Sequence, residues 1–270
     1  MTYGTRIRRH PVQALVFLLV LALAGVARAQ PMTAEGLAEF METYYQNPRP
    51  AEAMERLAAL DVGAFVEADR ESAETQGMAI LTTFYAHILH AHPELVGPLA
   101  ARLAAGGRHA NALVGAVAMA TAAVTTGEQG LAVLEASGLL TPAALATVRQ
   151  AVPYPFPNLR AISHFDIDLL WVSFFATGDA RYITEIAESL TYWEDNPELR
   201  LPREYPALTL ESQQRAIIEV TMAVIAHNTL TANARRHPAV LAALTALSQS
   251  RGDRVGVIAG SIAATVRAGG

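Results

Sequence analysis

The amino-acid sequence predicts an all-α protein, built of degenerate αα-hairpin repeats stacked as a solenoid-like single domain. Three observations carry that reading. Apolar residues recur at helical spacing along most of the chain, and no stretch sustains the alternation of a strand. Two turn types each occur twice, His-Pro at 92 and 237 and Thr-Gly-acid at 126 and 177. Each turn lies between a very apolar helix and an amphipathic one, as stacked hairpins require. One whole unit is visible from His164 to Trp193. Ile167, Leu170, Trp171, Phe174 and Phe175 share one face, and Phe165, Leu169, Val172 and Ala176 fill a second. A helix apolar on most of its circumference is buried on most sides. Ser163 and Asp166 form its capping box. Thr177-Gly178-Asp179 ends it and starts a second helix, with Ile183, Ile186, Ala187 and Leu190 inward and Arg181 spaced to pair with Glu185.

The elements follow in order. Residues 1–29 read as a secretory signal peptide: Arg6, Arg8 and Arg9 precede an apolar run over Val12–Val26, and Ala27-Arg28-Ala29 is a small-x-small cleavage site. Thr33–Tyr45 carries Leu37, Phe40, Met41 and Tyr44 on one stripe, and Asn47-Pro48-Arg49-Pro50 stops it. Met54, Leu57 and Ala58 mark the next helix, and Asp61–Asp69 has no clear pattern. Helix signal returns at about Ser72 with Leu81, Phe84, Tyr85, Ile88 and Leu89. After His92-Pro93 the partner helix carries Leu95, Val96, Leu99 and Leu103.

Ala110–Val124 is rich in small apolar residues, as a buried helix would be, and Leu131 and Leu134 follow its Thr126-Gly127-Glu128 corner. Thr141 and Pro142 open a short helix. Insertions interrupt the array at about 152–163 and 192–208, where prolines exclude helix and central strand. A long helix from Glu211 to Arg236 presents Ile217, Val220 and Val224 on one stripe and Ile218, Met222 and Ile225 on another. Val240, Leu241 and Leu244 follow the His237-Pro238 corner, and Gly252-Asp253 opens a last helix with Val255, Ile258, Ile262 and Val266. Residues 30–270 thus form one helical domain, with Gly256-x-x-x-Gly260 suited to close packing.

Composition narrows the function classes. Without cysteine there is no disulfide, thiolate ligand or lipid-modified cysteine. The formal charge is −5, and residues 1–29 hold four arginines and no carboxylate, so the remainder is more acidic still. Scattered arginines on an acidic chain exclude the electrostatic footprint of a nucleic-acid binder. The apolar run at the N-terminus is short for a span of about 20 residues, so no stable membrane insertion is expected after cleavage. A periplasmic or secreted location follows.

Two segments carry a resemblance. Tyr44-Tyr45-Gln46-Asn47-Pro48-Arg49-Pro50, with Asp168-x-x-Trp171-x-x-Phe174-x-x-Thr177-Gly178, resembles a group of exported bacterial helical proteins of uncharacterised function. The resemblance implies export and an all-helical fold, and brings no catalytic residue.

No Gly-x-Ser-x-Gly, His-Glu-x-x-His, dinucleotide or phosphate-loop motif is present. Three sets of residues remain as candidates. His164, Asp166 and Asp168 lie at a helix start beside Trp171, where a carboxylate with a raised pKa could act as acid or base in a hydrolase. The competing reading is capping, which a first-turn acid performs. His87 and His90, three apart, could share a metal with a carboxylate from elsewhere, or could instead complement a helix C-terminus together with His92. Tyr154, Phe156, Trp193, Arg200, Arg203 and Tyr205, with Arg160 and Tyr192, border the insertions and suit contact with a protein partner. The same rings could equally fold back over helix ends. The leading expectation is an exported, non-catalytic binding or assembly module that needs no cofactor. Alternatives are the hydrolase and a carrier of a small apolar ligand.

Overall fold

The capping residues legible in the sequence mark several helix boundaries of the computed structural model, which describes residues 34–62, 73–122, 126–150, 156–193 and 210–269. Residues 1–29, expected to be a signal peptide, lie outside them. Twelve α-helices make up the described residues, and no strand occurs among them. They are α1 (Ala34–Thr43), α2 (Pro50–Ala59), α3 (Ala73–Ala91), α4 (Val96–Gly106), α5 (His109–Thr121) and α6 (Gly127–Ala136), then α7 (Pro142–Gln150), α8 (His164–Thr177), α9 (Arg181–Glu188), α10 (Leu210–Arg236), α11 (Pro238–Ser250) and α12 (Arg254–Ala268). Short 3₁₀ turns at Tyr44–Gln46, Pro93–Leu95 and Ser189–Tyr192 extend three of the junctions. The protein is all-α.

The central helix α8 explains its own composition. Val172 and Ala176 belong to the core formed by α1 to α7. Ile167, Leu169, Leu170, Trp171, Phe174 and Phe175 belong to a second core with α9 to α12. A helix wedged between two cores has almost no solvent side, so it needs apolar residues all round. Full burial of each large side chain contributes about 1.5–3 kcal/mol relative to exposure. Trp171, 1% exposed, stacks on Phe175 at 5.8 Å between ring centres and meets Phe174 edge-on.

Neighbouring helices pack pairwise, α4 on α5, α8 on α9 and α11 on α12, which is compatible with stacked hairpins. Yet α3 also runs along α8, and α1 reaches it. These contacts skip several helices and join distant parts of the chain at α8.

Some local readings need correction. The two Thr-Gly-acid corners are not equivalent. Gly178 ends α8 in the left-handed conformation at φ 71°, whereas Gly127 is the first residue of α6. Arg181 pairs with Asp179 at 2.9 Å and not with Glu185, because the chain folds back over its own turn. Ile217 and Ile218 are 54% and 49% exposed; of the stripes read on α10, Met222 is buried and Ile225 packs on the core, and Ala226, Leu230 and Ala234 continue the inward face. Tyr192 lies in a 3₁₀ turn, so α9 is prolonged into what read as the start of the second insertion.

Elsewhere polar side chains complete helix ends. Asn111 Nδ2 donates to the Leu57 and Leu60 carbonyls at 2.7 and 2.6 Å, while Arg108 donates to those of Ala59 and Leu60. The orphan acceptors of α2 are thereby satisfied in a buried setting.

Candidate functional site

The start of α8 shows what the His164 set does locally. Asp166 Oδ2 accepts the Ile162 and Ser163 backbone N–H groups at 3.0 and 2.7 Å, and the Ser163 hydroxyl donates to it at 2.8 Å. The Asp166 N–H closes the capping box on Ser163. Asp166 is therefore fully engaged as a cap. His164 is exposed, and Asp168, one turn on, is half-buried. Burial pushes the Asp168 carboxyl up to about 6, and nearby His164 opposes the rise. Trp171 beneath them is core, with its indole N–H lacking a partner among the described residues.

His87 and His90 stand on the last turns of α3. The His87 ring is buried against Phe156 and Tyr182, at 4.6 and 5.5 Å between ring centres. Burial, with smaller contributions from Arg181 and His90, holds its pKa down to about 3. Such a ring is neutral at any ordinary pH. His90 Nδ1 lies 3.0 Å from the Ala122 carbonyl, at the end of α5. Among the described residues no group of three His, Asp or Glu side chains is placed to hold a metal. His92 sits apart, 3.1 Å from Glu94.

Of the recognition set, Phe156 and Trp193 are described, and both turn toward the helices. Phe156 covers His87 and His90, and Trp193 stacks flat on His227 of α10 at 4.1 Å. Arg254 donates to the Trp193 carbonyl. Arg160 is exposed and Tyr192 is 38% exposed. Tyr154, Arg200, Arg203 and Tyr205 lie outside the described residues.

One constellation was not singled out in the sequence. The Tyr45 hydroxyl is 3.2 Å from His237 Nδ1, and Gln46 Nε2 donates to that hydroxyl at 3.3 Å. Because the hydroxyl accepts from Gln46, its own proton is available for Nδ1. His237 is 3% exposed, packs on Phe175 at 5.3 Å, and its Nε2 has no partner among the described residues. Burial, then neighbouring Arg236, lowers its pKa. Arg236 in turn binds Glu42 of α1. The repeated His-Pro corner was the available signal, but it does not separate buried His237 from half-exposed His92.

Beside this corner the outer face of α11 forms a shallow, open groove of about 420 Å³, lined by Pro238, Leu241, Ala242, Thr245, Ala246, Gln249 and, from α12, Arg267. Arg267 Nη2 donates to Thr245 Oγ1 at 2.6 Å across it. The close approach of α12 rests on small residues. A Cβ on Gly256 would lie 2.2 Å from the Arg251 carbonyl oxygen, and one on Gly260 3.2 Å from Ser248 Cβ. No candidate residue from the sequence lines the groove. No described helix is long and apolar enough to cross a membrane. No protein family, curated protein or solved structure matches the chain, so the functional reading rests on these residues alone.

Proposed function

We propose that the chain is an exported, non-catalytic helical module, periplasmic or secreted, that binds another protein through the α11–α12 groove. The openness of that groove is the observation that carries the reading. Its walls are mostly Ala, Leu and Pro side chains, with polar groups at Thr245, Gln249 and Arg267, a surface suited to a protein's side chains. A carrier of small apolar ligands would instead enclose most of its ligand. Export rests on the tripartite pattern of residues 1–29, the resemblance on the Tyr44–Pro50 and Asp168–Gly178 segments. The test is a photo-crosslinking residue at Ala242, with one at exposed Ala146 on α7 as control, in the native host. A discrete protein adduct at Ala242 alone is expected, on a chain beginning at Gln30. Equal labelling at both positions, or none, would overturn the reading.

One observation favours a second reading. Asp168, with its carboxyl raised to about 6 beside His164, has the character of a general acid–base group. Turnover of a hydrolase substrate abolished by Asp168→Asn in a folded protein would replace binding by catalysis.

A further inference from the structure

Two features of the C-terminal half complement each other and do not meet within one chain. One is the groove, with Ala242, Thr245 and Ala246 along its floor and Arg267 at its lip. The other is a ridge on α10. Its 27 residues span about 40 Å, whereas the 13 residues of α11 span about 20 Å. Since α11 starts at the Arg236 end, its length lets it accompany at most about half of α10. The core positions Ala226, Leu230 and Ala234 lie in that half, with Met222 at the midpoint, and in the other half Ala216 is buried on the opposite side. Ile217 and Ile218 lie in the other half and are exposed. Two adjacent exposed isoleucines on a helix leave apolar surface in water that a partner would cover.

Charge supplies the second match. From His237 to Gly270 the chain holds three arginines and a single carboxylate, Asp253, which Arg251 binds. The rest of the acidic molecule would appose like charges if two copies met there. Arg267 has no carboxylate partner among the described residues, and its hydrogen bond to Thr245 leaves other guanidinium N–H groups to donate. On α10, Glu211 stands two turns before Ile218 on the same face. Its side chain is 84% exposed and, among the described residues, pairs with Arg215, itself 69% exposed, an ion pair of the weak surface kind.

We propose that the α10 ridge of one copy, Ile217 and Ile218 with Glu211, seats in the α11–α12 groove of a second copy, where Glu211 meets Arg267. This rests on the groove-binding reading and names its partner as another copy of the chain. The contact is heterologous, so each copy keeps one free ridge and one free groove, and the assembly closes as a ring or grows as a filament. Seven residues line the groove, fewer than the roughly 20–30 per side of a standard interface, so association is weak and rises with concentration.

Sedimentation velocity on the purified chain tests this. Ile218→Asp breaks the ridge and Ala246→Arg fills the groove, both at exposed positions where the fold survives substitution. Wild type should exceed the mass of one chain as concentration rises, and each variant should remain single. A mixture of the two variants should give pairs and nothing larger, since each contributes one working half. Wild type that stays single at every concentration, or association that survives both substitutions, overturns the proposal. Combining Glu211→Arg with Arg267→Glu should restore what either change alone weakens; a pair that stays broken overturns that contact. Photo-crosslinking from Ala246 separates the two readings. An adduct to Ile217 or Ile218 of another copy supports self-docking. An adduct to a different protein overturns self-docking and leaves groove binding in place, and the absence of any protein adduct defeats both.

Discussion

Tyr45 and His237, 192 positions apart, meet at 3.2 Å and join the first described helix to the corner between α10 and α11. Phe174 and Phe175 of α8 pack beneath them at 4.8 and 5.3 Å. The pair therefore ties the turn after α1 and the α10–α11 corner to the helix between them.

Tyr45→Phe leaves His237 Nδ1 without its donor in a buried site, and should cost about 1–2 kcal/mol. Urea denaturation at pH 7 would measure it. A loss within error of zero would mean that ring packing alone holds the corner.

Acid should destabilise the fold through its buried histidines. His87, held down to about 3, stays neutral in the fold, and His237 is also lowered and so resists its proton, while in the unfolded chain each takes up a proton below about 6.5. The unfolded state then binds more protons, so this stability is complete above pH 6.5 and declines as pH falls toward 3. Each unit costs up to about 1.4 kcal/mol per histidine. The urea midpoint should fall between pH 7 and pH 4, and less steeply for His87→Asn. Parallel profiles would show that His87 is already charged in the fold.

Asp168 works in the opposite sense. Raised to about 6 from 3.8, it favours the protonated folded state, so it offsets part of that decline within this window. At neutral pH its charge is held half-buried at a cost. Asp168→Asn should raise stability on the order of 1 kcal/mol at pH 7, after allowance for solvent screening. Asp166→Ala should lower it by about 1–2 kcal/mol through loss of the cap, and Asp166→Asn by less. Thermal melts of the three variants would separate the roles of these two carboxylates, and a destabilised Asp168→Asn would contradict the assignment.

Core and glycine substitutions check the packing directly. Trp171→Ala, at a site 1% exposed, should cost about 3–5 kcal/mol. Gly256→Ala should also destabilise, because its methyl group meets the Arg251 carbonyl. Gly106→Ala enters open space in the last turn of α4 and should stabilise by up to about 1 kcal/mol. Denaturant midpoints that rank otherwise would refute the packing of α8 or of α12.

What the sequence by itself determined was local. Ser163 with Asp166, Thr141 with Ala144, Asp253 with Gly256 and the left-handed Gly178 all find their partners within four residues. Their geometry follows from the chain's own connectivity, and the continuous apolar surface of α8 announced burial on every side. Only the tertiary structure decided which residues of α10 are covered. Helical periodicity places Ile217 and Met222 on stripes but cannot say that the first stays exposed while the second is buried. It likewise decided that Arg181 turns to Asp179, that Phe156 and Trp193 lie on histidines, and that His237 meets Tyr45. Those outcomes depend on which distant surfaces come together, and a contact between residues 192 positions apart leaves no mark in the spacing of either.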